Sequence, residues 1–116
     1  MTTEQMISSI GDPMVRELAM RGQTRAFPKN AIIINEGDRG DSLFVILAGK
    51  VKVYVSDDDG REMILDTYSA GDYVGEMSFD GRPRSASVMT LEPTTCAVLS
   101  RDELKQYDFR AELAFG

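Results

Sequence analysis

From Thr24 onward every apolar run in this chain is short, keeps a two-residue period or none, and stops at a Gly, Asp, Asn or Pro. A helix would need apolar residues at three- and four-residue spacing over a longer stretch, so these runs read as strands. The candidates are 24–27, 31–35, 43–47, 51–56, 62–68, 73–74, 85–91 and 95–99. Short strands in such number protect their edges by closing or stacking, which implies a mainly β fold, a sandwich or barrel of antiparallel strands with flanking helices. Gly37, Gly49, Gly60 and Gly71 fall at near-even intervals and mark turns rather than a repeat array. Within "SDDDGR", Asp59-Gly60 is a strong tight-turn signal for a hairpin. Alternation places Val51, Val53 and Val55 on one side of that hairpin and pairs them with Met63, Leu65 and Thr67 after the turn; this apolar set is expected to line the interior.

The residues ahead of the strands carry the other period. Met6, Ile7 and Ile10, then Met14, Val15, Leu18 and Ala19, recur at helical spacing. Asp12 can cap a second helix and Pro13 suits its first turn, so two short helices are expected, the second ended by Gly22 in the left-handed conformation. At the far end Ser100 with Glu103 makes a capping-box pattern that opens a C-terminal helix. A chain of 116 residues supports one core, hence one domain: helices over 1–23, strands over 24–100, and the start of a helical region over 101–116.

Composition removes whole classes of function. The absence of histidine takes away the commonest general base and the usual zinc ligand, and the single Cys96 cannot form an internal disulfide. No catalytic residue, metal site or cofactor is expected, and the chain reads as a binding protein, not an enzyme. A net charge of −6 opposes binding to a nucleic-acid backbone by this chain alone. No apolar run reaches the length of a membrane span and no secretion signal opens the chain, so a cytoplasmic protein is expected. "RGD" at Arg39 to Asp41 lies in a polar loop, "AGKV" lacks the glycine and hydroxyl of a phosphate loop, and Asp57 to Asp59 is too short for a calcium loop.

One segment resists the strand pattern. "GEMSFDGRPRSASV", Gly75 to Val88, gathers glycines, arginines, a proline and a carboxylate where strands would continue. A short helical turn near 76–79 would present free amides to an anion, Gly75 would allow close approach to the backbone, and Arg84 and Ser85 suit a phosphate. Glu76 would repel a phosphate but can accept bonds from sugar hydroxyls. Two readings follow from spacing alone: Glu76 and Arg84 pair with each other across a loop, which spacing favours, or they face a small nucleotide.

The segment resembles the phosphate-binding cassette of the cyclic nucleotide-binding domain found in the cAMP receptor protein (CRP/FNR) family. "EGDRGDSLFVILAGKVKVY" and "GREMILDTYSAGDYVGEM" are similar to that family's flanking blocks, so the resemblance runs from about Phe27 to Leu104. It implies a β-roll of the jelly-roll, double-stranded β-helix type, with roughly eight strands closed by helices at both ends. It also implies a cassette over 75–87 in which Gly75 and Glu76 meet the ribose, Arg84 and Ser85 the cyclic phosphate, and Met77, Ser78 and Ala86 complete the ligand-binding set. Val53, Met63 and Leu65 would form the apolar wall near the purine. Glu76 to Arg84 is shorter by one residue than the commonest family spacing, so the loop at Asp80-Gly81 is expected to be tight. The implied ligand is cAMP, with cGMP or another cyclic nucleotide left open. The implied role is the effector-binding half of a transcription regulator cut before its DNA-binding domain, a homodimer in its full length. The alternatives are a stand-alone regulator, or a β-roll interaction module that takes another ligand or none.

Overall fold

The computed structural model describes residues 1–38, 40, 42–75 and 84–106. The helical turn expected at 76–79 and the tight loop at Asp80-Gly81 lie outside the described residues.

Helix α1 (Thr3–Ser8) opens with a capping box in which the Thr2 hydroxyl accepts from Gln5 N and the Gln5 side chain accepts from Thr2 N. Helix α2 (Pro13–Arg21) starts as the sequence implies: Asp12 Oδ1 accepts from Met14 N at 2.9 Å, and Pro13 takes the first turn, where its missing N–H costs nothing. Its end differs from expectation. Gly22 is extended (φ −84°, ψ 166°) because the chain runs straight into β1; a side chain there would meet Ala97 Cβ and Val98 N at 3.1 Å. Gly22 is thus a site of close packing rather than a left-handed cap.

Among the described residues eight strands follow: β1 (Gln23–Phe27), β2 (Ile32–Ile34), β3 (Leu43–Ala48), β4 (Lys50–Ser56), β5 (Glu62–Ser69), β6 (Tyr73–Val74), β7 (Ser87–Thr90) and β8 (Thr94–Leu99). They form two antiparallel four-stranded sheets, in the orders β1-β8-β3-β6 and β2-β7-β4-β5. Helix α3 (Arg101–Gln106) then begins on the capping box read from sequence, with Glu103 N donating to Ser100 Oγ and Ser100 N to Glu103 Oε1.

Strand β3, "LFVILA", explains why one apolar run shows no alternation. Leu43, Val45 and Leu47 point to a core shared with Val15 and Leu18 of α2 and Leu104 of α3. Phe44 and Ile46 point the other way, into a second core with Ile34, Val51 and Val88 of the facing sheet. A strand buried on both faces has no polar side to alternate with. Cys96 of β8 is a fully buried member of the second core, and desolvation pushes its thiol pKa up to about 12.

The β4–β5 hairpin departs from simple alternation. Its loop spans 57–61, closed by Asp57 N donating to Arg61 O at 2.9 Å, with Gly60 at φ +81°. Further along, Val53 pairs with Asp66 but Tyr54 pairs with Ile64, so Leu65 is the extra residue of a β-bulge. The bulge shifts every later position by one: Tyr68, not Thr67, stands opposite Val51. The interior placement expected for Met63 and Leu65 fails for two different reasons: Leu65 is the bulged residue itself, whereas Met63 keeps its place opposite Val55 but lies near the hairpin loop on an edge strand. Met63 is 63% and Leu65 55% exposed, on a strand that forms the edge of its sheet.

Candidate ligand-binding site

Every strand of the second sheet sends a side chain into one cleft. Val88 of β7 stands opposite both Ile34 of β2 and Val53 of β4, which makes a cross-strand row, and Tyr68 of β5 joins it diagonally from Val53. Tyr73, Val74 and Gly75 form another side, and Arg84, Ser85 and Ala86 complete the rim. The cleft is open on one side and has a volume of about 110 Å³. It has an apolar floor and a polar edge, the usual division of a small-molecule site into a part that binds by burial and a part that fixes orientation.

Arg84 dominates the polar edge. It is only 6% exposed, unusual for a residue type that is almost never fully buried without partners. Its Nη1 donates to Gly75 O at 3.0 Å and its Nη2 to Ser42 O at 2.9 Å, so the guanidinium joins the end of β6 to the start of β3. The main chain of the same residue is also fixed: Arg84 N donates to Asp38 O at 2.7 Å, and Arg84 O accepts from Gly37 N at 2.8 Å. Backbone and head group are thus tied to Gly37, Asp38 and Ser42. Gly75 adopts φ +105°, and a Cβ there would lie 2.6 Å from Ser42 O and 2.9 Å from Arg84 Nη1. Only glycine lets the chain turn at this point and still receive the arginine.

Of the residues picked from sequence, Gly75, Arg84, Ser85, Ala86 and Val53 come together around the cleft. Ser85 is exposed and Ala86 half-buried. Met63 and Leu65 do not line it: Leu65 is the bulged residue, and Met63 is exposed near the hairpin loop of the edge strand. Glu76, Met77 and Ser78 lie outside the described residues. The sequence reading missed Tyr68, which only a recognised bulge would have turned inward, and Ile34, Val88 and Tyr73, which read as ordinary core residues. Among the described residues no helix is long and apolar enough to cross a membrane.

The model of the cyclic nucleotide-binding domain matches residues 24–109. The chain belongs to the cyclic nucleotide-binding domain family. A CRP-like cAMP-activated global transcriptional regulator of Mycobacterium tuberculosis is 37% identical over 82 residues, 70% of this chain and 37% of the relative. The Thermus thermophilus catabolite activator protein superposes with a TM-score of 0.74 at 28% identity, over 94% of this chain and 54% of that one. The cAMP-bound form of the EAL enzyme Bd1971 superposes with a TM-score of 0.69 at 34% identity, over 74% of this chain but only 23% of that one. The chain spans between a third and a half of the curated CRP relatives' length. The fold of this chain is thus similar to parts of regulators and to part of an enzyme chain.

Proposed function

We propose that this chain binds a cyclic nucleotide, cAMP first among them, and acts as the sensory unit of a CRP-like regulator. The observation that carries the reading is Arg84, buried at the rim of the cleft and held there by two backbone carbonyls. A fixed guanidinium meets a phosphate without first losing side-chain freedom, which keeps more of the interaction as affinity. The row Ile34, Val88 and Val53, with Tyr68 beside it, offers an apolar surface to a base. In this reading Ser85 adds a hydroxyl at the phosphate, and Glu76 takes the ribose hydroxyl. The nucleotide is a diffusible effector and not a resident cofactor. Because Ser42 and the end of β6 share Arg84, a phosphate that draws the guanidinium toward itself changes the bonds of both. That is the differential contact an allosteric response requires.

The test is calorimetric titration of cAMP into wild type and Arg84→Ala. A charge-assisted hydrogen bond is worth about 1.5–3 kcal/mol, so affinity should fall by roughly tenfold or more. Equal affinity in the two proteins refutes the site. A second reading, a module that works through protein contacts, draws on the exposed Met63, Ile64 and Leu65 of β5. A thermal-shift panel of cAMP, cGMP, cyclic dinucleotides and AMP separates the two, since no shift with any cyclic nucleotide favours the contact module.

A further inference from the structure

Gly40 lies beside the Arg84 guanidinium. A Cβ built there would lie 2.7 Å from Arg84 Nη2, 3.0 Å from Nε and 3.3 Å from Cζ, and those are its three nearest neighbours. What stands in the way of a methyl group at residue 40 is thus the head of one side chain. The same guanidinium is met from Gly75, where a Cβ would lie 2.9 Å from Nη1. Arg84 lies between two glycines from separate segments.

We infer that Gly40 is a positioning residue for the ligand's anionic group: its bare Cα is the back wall against which the Arg84 guanidinium is set. The contrast with Gly75 supports this. A methyl at residue 75 runs into main chain at Ser42 O, whereas a methyl at residue 40 runs into the far end of a flexible side chain. The arginine can give way, so the fold tolerates the change. Ordinary contact begins at 3.4 Å, so Nη2 must retreat by about 0.7 Å and strain its bond to Ser42 O. Displacement on that scale is large enough to spoil a hydrogen bond to a ligand while leaving charge and composition of the site unchanged.

The affinity readout rests on the cyclic nucleotide reading above, so the experiment is a double-mutant cycle with an independent spectroscopic arm. Wild type, Gly40→Ala, Arg84→Lys and the double variant are titrated with cAMP, and their thermal midpoints are recorded. Gly40→Ala should weaken binding by roughly tenfold in the arginine background. In the Arg84→Lys background, where no Nη2 or Nε contact remains to be displaced, the further loss should be under about twofold. The thermal midpoint without ligand should fall by no more than a few degrees, the share of the strained bond to Ser42 O. Equal losses in both backgrounds, or no loss in either, overturns the inference. If wild type binds no cyclic nucleotide, the functional reading falls, and the Arg84 Nε–H resonance decides the positioning role. A shifted resonance in Gly40→Ala supports it, and an unchanged one overturns it.

Discussion

Replacing Gly75 by alanine should be among the more damaging single-methyl changes in this domain. Two costs add. The backbone stands at φ +105°, where an L-residue is strained by about 1–3 kcal/mol. The new Cβ would also sit 2.6 Å from Ser42 O and 2.9 Å from Arg84 Nη1, so the loop carrying Ser42 must shift and the bond from Nη2 to Ser42 O lengthens. A weakened hydrogen bond from a charged donor adds roughly 1 kcal/mol, giving a total of about 2–4 kcal/mol. Urea unfolding followed by circular dichroism measures this directly, with the slope of the transition unchanged and only its midpoint lowered. Gly71→Ala makes a useful control, because Gly71 also has positive φ (+94°) but nothing within 4 Å of a built Cβ. It should show the backbone cost alone. If Gly75→Ala loses no more than Gly71→Ala, close packing around Arg84 is not what holds this corner, and the account of the site's rigidity is wrong.

Other consequences can be measured on the same preparations. The Thr90 hydroxyl is fully buried, donates to Pro28 O at 2.6 Å and accepts from Ala31 N at 2.8 Å. Thr90→Val, close in shape, should cost about 1–3 kcal/mol in urea unfolding because both backbone groups lose their partner. Cys96 gives a pH effect of known sign. Its folded pKa of about 12 lies above its ordinary 9.0, so between those values the folded state holds the extra proton. Stability from this group is intact below pH 9 and declines as pH rises toward 12, and Cys96→Ala should remove that share of the alkaline loss when stabilities at pH 8 and pH 10 are compared.

Local chemistry was legible wherever few neighbours decide the outcome. The Asp12 cap and the Ser100–Glu103 box depend on residues three positions apart or fewer, and both form as read. The strands were also legible as elements, since turn residues bound them. Faces were harder. A bulge at Leu65 carries no sequence mark, and it turns Tyr68 rather than Thr67 toward Val51. Gly22 misled for a related reason: a glycine that follows a helix reads as a cap, but the packing of Ala97 and Val98 against it is long-range information. Gly40 is the same case at the candidate site. Arg84 and Gly75 stood out as unlike their surroundings, whereas a loop glycine in "EGDRGDS" looks like any turn residue until the guanidinium is seen beside it.

Strand β3 belongs to both cores, with successive side chains assigned to opposite sides. The helical layer and the space between the sheets are thus two rooms with a common wall, and neither can be opened while the wall stands. Amide hydrogens of α2 and of the inter-sheet strands should then exchange through one cooperative opening rather than two independent ones. Ser42, whose carbonyl accepts from Arg84 at the rim of the cleft, immediately precedes Leu43, which packs on the helical side, so only the thickness of one strand separates the two.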